Sequence, residues 1–334
     1  MEDKIILNNT ELTGIIGKNE MEKLSNFLDK EKWKSYRKKY DEVANLKKHD
    51  FPIQLDFELN SSCNLKCPMC PISAESPKGK GKKTWFDFDF FKEIIDYASE
   101  KGTRSIKLNY INEPLIRRDI IKFIEYAKSK KIIDIYFSTN GILLNDDLSK
   151  QLILSGLTRI QISIDAVSQK TYEKVRPGGD LNKVIRNLKR FLEIKKKLKK
   201  TIPLVSVNFV KTPLNEFELN EFLKSWEGVV DMIGIQEFIK PTKVKDKMIS
   251  KKTLDKKNFK CSFPYKQLVI NNEKDILPCC TFWGEELAIQ KIEKPEDLSK
   301  AWNSEKMKYL REKHFNGEYN DTVQCKNCVH GGVE

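Results

Sequence analysis

The sequence predicts an α/β fold: a partial (β/α)6, TIM-like barrel followed by a small C-terminal α+β unit. Two observations carry this. Between residues 52 and 238, six short apolar segments alternate with helical patterns, and such alternation builds a parallel sheet with outer helices. Right-handed crossovers curl that sheet toward a barrel. Beyond a polar, lysine-rich stretch at 240–260 the alternation stops, and a hairpin and a helix follow. At 334 residues the chain has room for one large domain or two ordinary ones. The expected division is an N-terminal helical extension (1–50), the barrel (51–240) and the C-terminal unit (241–334).

In chain order, residues 20–48 mix charges with Met21, Leu24, Phe27, Leu28, Trp33 and Tyr36 at roughly helical spacing, as one or two amphipathic helices would. The strands fall at 53–59, 105–110, 132–138, 159–164, 204–210 and 232–238, each short and rich in Ile, Val or aromatics. Helical patterns lie between them at 88–100, 119–130, 146–155, 182–198 and 216–226. The fourth of these carries many lysines on what reads as a solvated outer face, with Val184, Leu188 and Phe191 facing in. Segments 266–271 and 275–278, around an Asn-Asn-Glu-Lys turn, read as a hairpin, and 295–314 as one helix.

Composition narrows the class. Hydrophobic residues make up 39% and charged residues 33%, which describes a globular chain with a heavily charged surface. The N-terminus is acidic at once and carries no apolar stretch suited to export, and no run approaches the roughly 18 residues of a membrane span. A cytoplasmic location is expected. The net charge of +13 fits a lysine-rich composition, and it would also steer an acidic redox protein or an anionic substrate. No nucleic-acid-binding motif accompanies it.

The eight cysteines are more consistent with metal ligation than with disulfides in such a chain. Cys63, Cys67 and Cys70 follow the first strand as C-x-x-x-C-x-x-C. Three thiolates this close converge on one metal centre. A 4Fe-4S cluster has four irons to hold, so three ligands leave one iron open to another molecule. A zinc site would need a fourth ligand, and the nearest histidine, His49, lies across a strand. The other five thiols are Cys261, Cys279, Cys280, Cys325 and Cys328. Their spacing alone suits either four-thiolate zinc or a second 4Fe-4S cluster.

The pattern C-x-x-x-C-x-Φ-C, with Met69 as Φ, resembles the signature of radical S-adenosylmethionine (radical SAM) enzymes. The resemblance implies that the open iron binds the methionine end of S-adenosylmethionine and that its reductive cleavage yields a 5′-deoxyadenosyl radical. It also implies a partial barrel with the cluster loop after the first strand. Asn112-Glu113-Pro114-Leu115 resembles the family's GEPL segment, with Asn112 in place of the usual Gly, which implies a hold on the methionine amino group. Ser138 and Asn140 at the third strand end are implied to reach the ribose or the methionine end. Ser163-Ile164-Asp165 is similar to the family's SID strand. Arg176, in the stretch from Tyr172 to Gly179, is implied to pair with the methionine carboxylate, as a guanidinium can with both oxygens at once. Met69 would meet the adenine. Asn208 and Gln236 are weaker candidates for the cavity.

The layout of the remaining cysteines resembles the one-cluster form of the SPASM/twitch extension, although Lys274 stands where a Gly is usual. That resemblance assigns Cys261, Cys279, Cys325 and Cys328 to one auxiliary 4Fe-4S cluster. Cys280 is left over, as a spare thiol, as the true ligand in place of Cys279, or as a hydrogen-atom donor to a substrate radical. The function implied is hydrogen abstraction from a small polar, sugar- or aminocyclitol-like substrate, giving oxidation or epimerisation, with flavodoxin or ferredoxin as reductant. The alternative is a peptide or protein maturase, of the modified-peptide or sulfatase-maturing kind, which the short helical N-terminus weighs against. A structural zinc protein is the distant third.

Overall fold

The computed structural model describes residues 6–7, 13–16, 24, 28–74, 84–238 and 259–330. Two short strands, β1 (Ile6–Leu7) and β2 (Thr13–Ile16), precede helix α1 (Lys30–Ala44). The barrel strands are β3 (Gln54–Phe57), β4 (Ser105–Lys107), β5 (Asp134–Thr139), β6 (Arg159–Ser163), β7 (Leu204–Lys211) and β8 (Met232–Glu237). Helices α2 (Phe88–Lys101), α3 (Ile120–Ser129), α4 (Asp146–Ser155), α5 (Gln169–Val175), α6 (Leu181–Lys197) and α7 (Leu219–Trp226) lie between them. The C-terminal unit adds β9 (Gln267–Ile270), β10 (Asp275–Leu277), β11 (Gln290–Lys291), α8 (Asp297–Trp302), α9 (Glu305–Asn316) and α10 (Val323–His330).

The described strands form one eleven-stranded sheet, ordered β1-β2-β8-β7-β6-β5-β4-β3-β9-β10-β11. Neighbours from β8 through to β9 run parallel, and antiparallel hairpins flank them at both ends. The α/β partial barrel expected from the sequence is present. Its outward positions, among them Leu55, Phe57, Ile106, Phe137 and Ile160, are fully buried under the helices. Phe57, Phe91 and Phe123 pack with successive centroid distances of 4.8 Å. Each such side chain contributes roughly 1.5–3 kcal/mol on burial.

Helix starts are fixed by side-chain oxygens that satisfy free backbone donors. Asp87, Asn145 and Asp180 accept from Phe90 N, Leu148 N and Lys183 N at 2.7, 2.8 and 3.0 Å. These helices match their sequence patterns to within a residue or so.

Three expectations need correction. The N-terminal extension is not purely helical: β1 and β2 form a hairpin, and β2 adds antiparallel to β8. The 295–314 helix is two helices, because Ser304 stops the first and caps the second through Met307 N at 3.3 Å. The C-terminal unit also continues the barrel's sheet, with β9 paired in parallel to β3. The polar stretch taken as the boundary lies almost wholly outside the described residues.

Helix α1 closes the N-terminal end of the barrel. Its Tyr36 hydroxyl donates to Asp134 Oδ2 at 3.1 Å. Arg159 donates to both Asp134 oxygens at 2.9 and 2.7 Å and stacks over the Tyr136 ring at 3.7 Å. Burial pushes the Asp134 carboxyl up, but the pairing with Arg159 outweighs it and leaves the group below its ordinary range. This ion pair is the floor of the lumen.

Candidate active site

The three-cysteine loop leaves the C-terminal end of β3, where barrels of this kind carry their chemistry. Leu65 N donates to Cys63 Sγ at 3.5 Å, and Cys70 N to Cys67 O at 3.0 Å. Burial pushes the Cys63 thiol up to about 11 and the Cys70 thiol to about 12, and raises Cys67 as well. Met69, expected at the adenine, is 6% exposed and packs in the main apolar core.

The strand ends form a rim tied to this loop. Glu113 is fully engaged. It accepts from Thr139 Oγ1 at 2.6 Å, Leu115 N at 3.0 Å and Asn140 N at 2.8 Å, and burial raises its pKa. Asn140 donates from Nδ2 to Asn64 Oδ1 at 2.7 Å, binding the end of β5 to the cysteine loop. Ser138 donates to Gln161 Oε1 at 2.7 Å. Ser163 is half-buried beside Asn208 in the neighbouring strand.

Asn112 is different. Its Oδ1 accepts from Tyr110 N at 3.0 Å, while its buried Nδ2 has no partner among the described residues. A buried donor without an acceptor costs about 1–3 kcal/mol, and an anionic ligand at the rim would relieve that. The free amide N–H of Asn112 suits an acceptor on a ligand and not the methionine ammonium that the resemblance implies for this segment.

Arg176 has a carboxylate partner within the chain. Its Nε donates to Asp165 Oδ2 at 2.7 Å and its Nη2 bonds the same oxygen. Its Nη1 lies 4.0 Å from Cys67 Sγ. A buried guanidinium needs a counter-ion, and Asp165 supplies it, with φ of 63° turning its carboxylate inward. Asp165 Oδ1 also accepts from Val210 N at 2.7 Å. Arg176 and Asp165 thus brace the cysteine loop.

Inside the rim the lumen face of the sheet is polar. Lys107, Tyr136, Gln161, Ser163 and Asn208 are half-buried on inward positions of successive strands. Asp56 lies beside Lys107 and is held by the Gln54 and Gln267 amides at 2.7 and 3.2 Å. Sequence reasoning missed Lys107, Tyr136 and Gln161. The period-two polar positions of β4, β5 and β6 were the available signal.

The second set of thiols gathers around the end of β10. Cys325 and Cys328 sit three residues apart on one face of α10. Burial raises all four of Cys261, Cys279, Cys325 and Cys328, and mutual repulsion adds to this for Cys261, Cys325 and Cys328. Thr281 Oγ1 lies 3.4 Å from Cys279 Sγ. Among the described residues no three of the chain's Cys, His or acidic groups converge on a single-ion site. Cys280 packs with Tyr110, Val269 and Leu277, on the face of the sheet that also bears Asp56 and Lys107.

A thiol loop at the mouth of a partial barrel, with a second thiol set beyond the end of β10 and on α10, defines a class of iron–sulfur proteins that carry two clusters. Residues 57–218 match the model of the Radical SAM superfamily, and residues 261–329 that of SPASM, an iron-sulfur cluster-binding domain. The chain belongs to the radical SAM superfamily and carries a C-terminal SPASM domain. Its cofactors are accordingly a 4Fe-4S cluster, S-adenosylmethionine and an auxiliary iron–sulfur cluster.

Among curated relatives, a probable GTP 3′,8-cyclase of Methanocaldococcus jannaschii is 28% identical over 185 residues, 55% of this chain and 58% of that one. A GTP 3′,8-cyclase of Clostridium botulinum is 32% identical over 53% of this chain and 54% of its own. The chain thus matches little more than half the length of these relatives. Among solved structures, BtrN in complex with AdoMet and 2-DOIA superposes with a TM-score of 0.55 at 18% identity, covering 83% of this chain and 93% of that one. Streptococcus suis SuiB bound to its precursor peptide SuiA gives 0.61 at 17% identity, over 84% and 71%. These likenesses establish the fold.

Proposed function

We propose that this radical SAM enzyme abstracts a hydrogen atom from a small polar substrate held in the barrel lumen. The observation that carries the reading is the lumen itself: half-buried polar side chains line it from the Asp134–Arg159 floor up to the rim. When bound, the cluster and S-adenosylmethionine supply a 5′-deoxyadenosyl radical. Asn112 and Ser163 orient the methionine end, Glu113 and Asn140 lock the strand ends, and Arg176 steadies the cysteine loop. Lys107 is half-buried beside the Asp56 carboxylate, and it offers a cation to an acidic or hydroxylated substrate. The near-complete coverage of BtrN, seen with the small molecule 2-DOIA, agrees with this in scale.

Cys280 faces the lumen side of the sheet, and we place it there as the donor that would make the outcome epimerisation. Its S–H bond breaks as the substrate C–H bond forms. The thiyl radical left behind is reset by one electron from the flavodoxin or ferredoxin reductant and one proton from solvent. Cys280→Ala should still form 5′-deoxyadenosine yet give no epimerised product. Loss of cluster iron in that variant would identify Cys280 as a ligand instead.

The experiment is anaerobic reconstitution followed by 5′-deoxyadenosine assay with sugars and aminocyclitols, GTP, and peptides in parallel. Stimulation by a sugar or aminocyclitol, with deuterium transferred from its carbon to 5′-deoxyadenosine, is the expected result. Stimulation by peptides alone would move the protein to the maturase reading, and by GTP alone to the activity of its curated relatives.

A further inference from the structure

The auxiliary thiols are joined to the rim by a pair of residues that no cysteine motif includes. Thr281 Oγ1 lies 3.4 Å from Cys279 Sγ. A ligating cysteine has lost its proton, so with a cluster in place the hydroxyl is the donor and the sulfur the acceptor. The Thr281 carbonyl points the opposite way. It accepts from the Tyr110 hydroxyl at 2.7 Å and from Gly284 N at 2.9 Å. Tyr110 is 7% exposed and sits on the segment leading from β4 to Asn112, whose Oδ1 holds Tyr110 N at 3.0 Å. Thr281 is therefore fixed at both ends. Its hydroxyl is aimed at a ligand sulfur and its carbonyl is anchored to the rim that receives S-adenosylmethionine.

The turn leaves little slack. A Cβ added at Gly284 would stand 2.6 Å from the Cys279 carbonyl oxygen and 3.3 Å from its sulfur. The backbone therefore closes around Cys279, and Thr281 cannot swing away without breaking the turn. The neighbouring thiol, Cys280, packs instead with Tyr110, Val269 and Leu277.

We infer that Thr281 tunes the auxiliary cluster by donating a hydrogen bond to the Cys279 sulfur, and that Tyr110 positions it for that task. A hydrogen bond to a ligand sulfur stabilises the reduced, more negative state and so raises the reduction potential. The inference goes beyond the proposed reaction: it concerns how readily the auxiliary cluster takes an electron, whatever the substrate. It rests on Cys279 being a cluster ligand.

The test is a redox titration of the full-length, reconstituted protein followed by electron paramagnetic resonance. The auxiliary signal is assigned from a Cys63→Ala, Cys67→Ala, Cys70→Ala triple variant. Thr281→Val, which keeps the shape and loses the hydroxyl, should titrate at a more negative potential than wild type. Thr281→Ser should stay close to wild type. Tyr110→Phe should shift the same way by a smaller amount, and the potential of the radical SAM cluster should be unmoved in all three. A Thr281→Val protein that keeps its iron and titrates with wild type overturns the inference. If Thr281→Val loads poorly, a Tyr110→Phe protein that titrates with wild type overturns it equally. Full iron content in Cys279→Ala would instead remove the ligand assignment, and that outcome reads separately from activity.

Discussion

At the scale of single residues, the rim is the place where small changes should be felt. Asn208 stands in register beside Ser163, and it keeps its place because Gly234 on β8 leaves room: a Cβ there would lie 2.7 Å from Asn208 Oδ1. Gly234→Ala should displace Asn208 and weaken S-adenosylmethionine binding by about tenfold, the scale of one polar contact. Equilibrium dialysis against the labelled cofactor would measure it, and an unchanged affinity would place Asn208 off the ligand. The sequence brought the reading as far as Glu113, Asn140 and Ser163 because each lies in a short run ending a strand. The pairing of Arg176 with Asp165 was not legible, because nothing in eleven residues of spacing reveals that Asp165 turns back to meet it. Tyr110 and Thr281 are 171 residues apart, and no local pattern joins them.

At the scale of elements, the β6–α5 connection depends on Glu218. Its carboxylate accepts from Val167 N, Ser168 Oγ and Thr171 Oγ1, each at 2.6 Å, and so anchors the N-terminus of α5, where negative charge is favoured. Burial raises the Glu218 pKa, but these donors outweigh it and hold the group below the ordinary 4.5. Because the folded value lies below the unfolded one, the stabilisation is complete above about pH 4.5 and disappears as pH falls through the folded value. Glu218→Gln should cost about 1–3 kcal/mol near neutrality, measured by denaturant titration, and should match wild type in strong acid. An equal deficit at both pH values would show that the charge is irrelevant. Helix starts were legible because Asp87, Asn145 and Asp180 stand just outside their apolar patterns. Strands β1 and β2 were not, since two and four residues give too short an alternation and their partner β8 lies far along the chain. Ser304 broke the long helix through a single capping bond that periodicity does not register.

At the scale of the whole molecule, cofactor loading and electron delivery become questions of charge. Iron binds thiolates, whereas burial holds Cys63 and Cys70 near 11 and 12. The ionised fraction of such groups rises about tenfold per pH unit. Reconstitution followed by visible absorbance should therefore speed up between pH 7 and 9, and a flat rate would mean that thiol ionisation does not limit loading. The net charge of +13 predicts that reduction by an acidic flavodoxin slows as salt screens the encounter; a salt-independent rate would remove steering from the account. No described helix is long and apolar enough to cross a membrane. The barrel was legible from alternation alone. That the C-terminal unit shares its sheet was not, because one parallel pairing between distant segments leaves no mark on either.

That pairing sets a timetable for synthesis. Strand β3, which launches the three-cysteine loop, has β4 on one side and β9 on the other, and the Gln54–Gln267 contact spans 213 residues. At roughly 5–20 residues per second, a ribosome needs on the order of 10–40 s to bridge that interval. Throughout it the strand beneath the cysteines has one bare edge, able to recruit a wrong partner. The strand that launches the cysteine loop thus gains its second neighbour only once the segment around Gln267 has emerged.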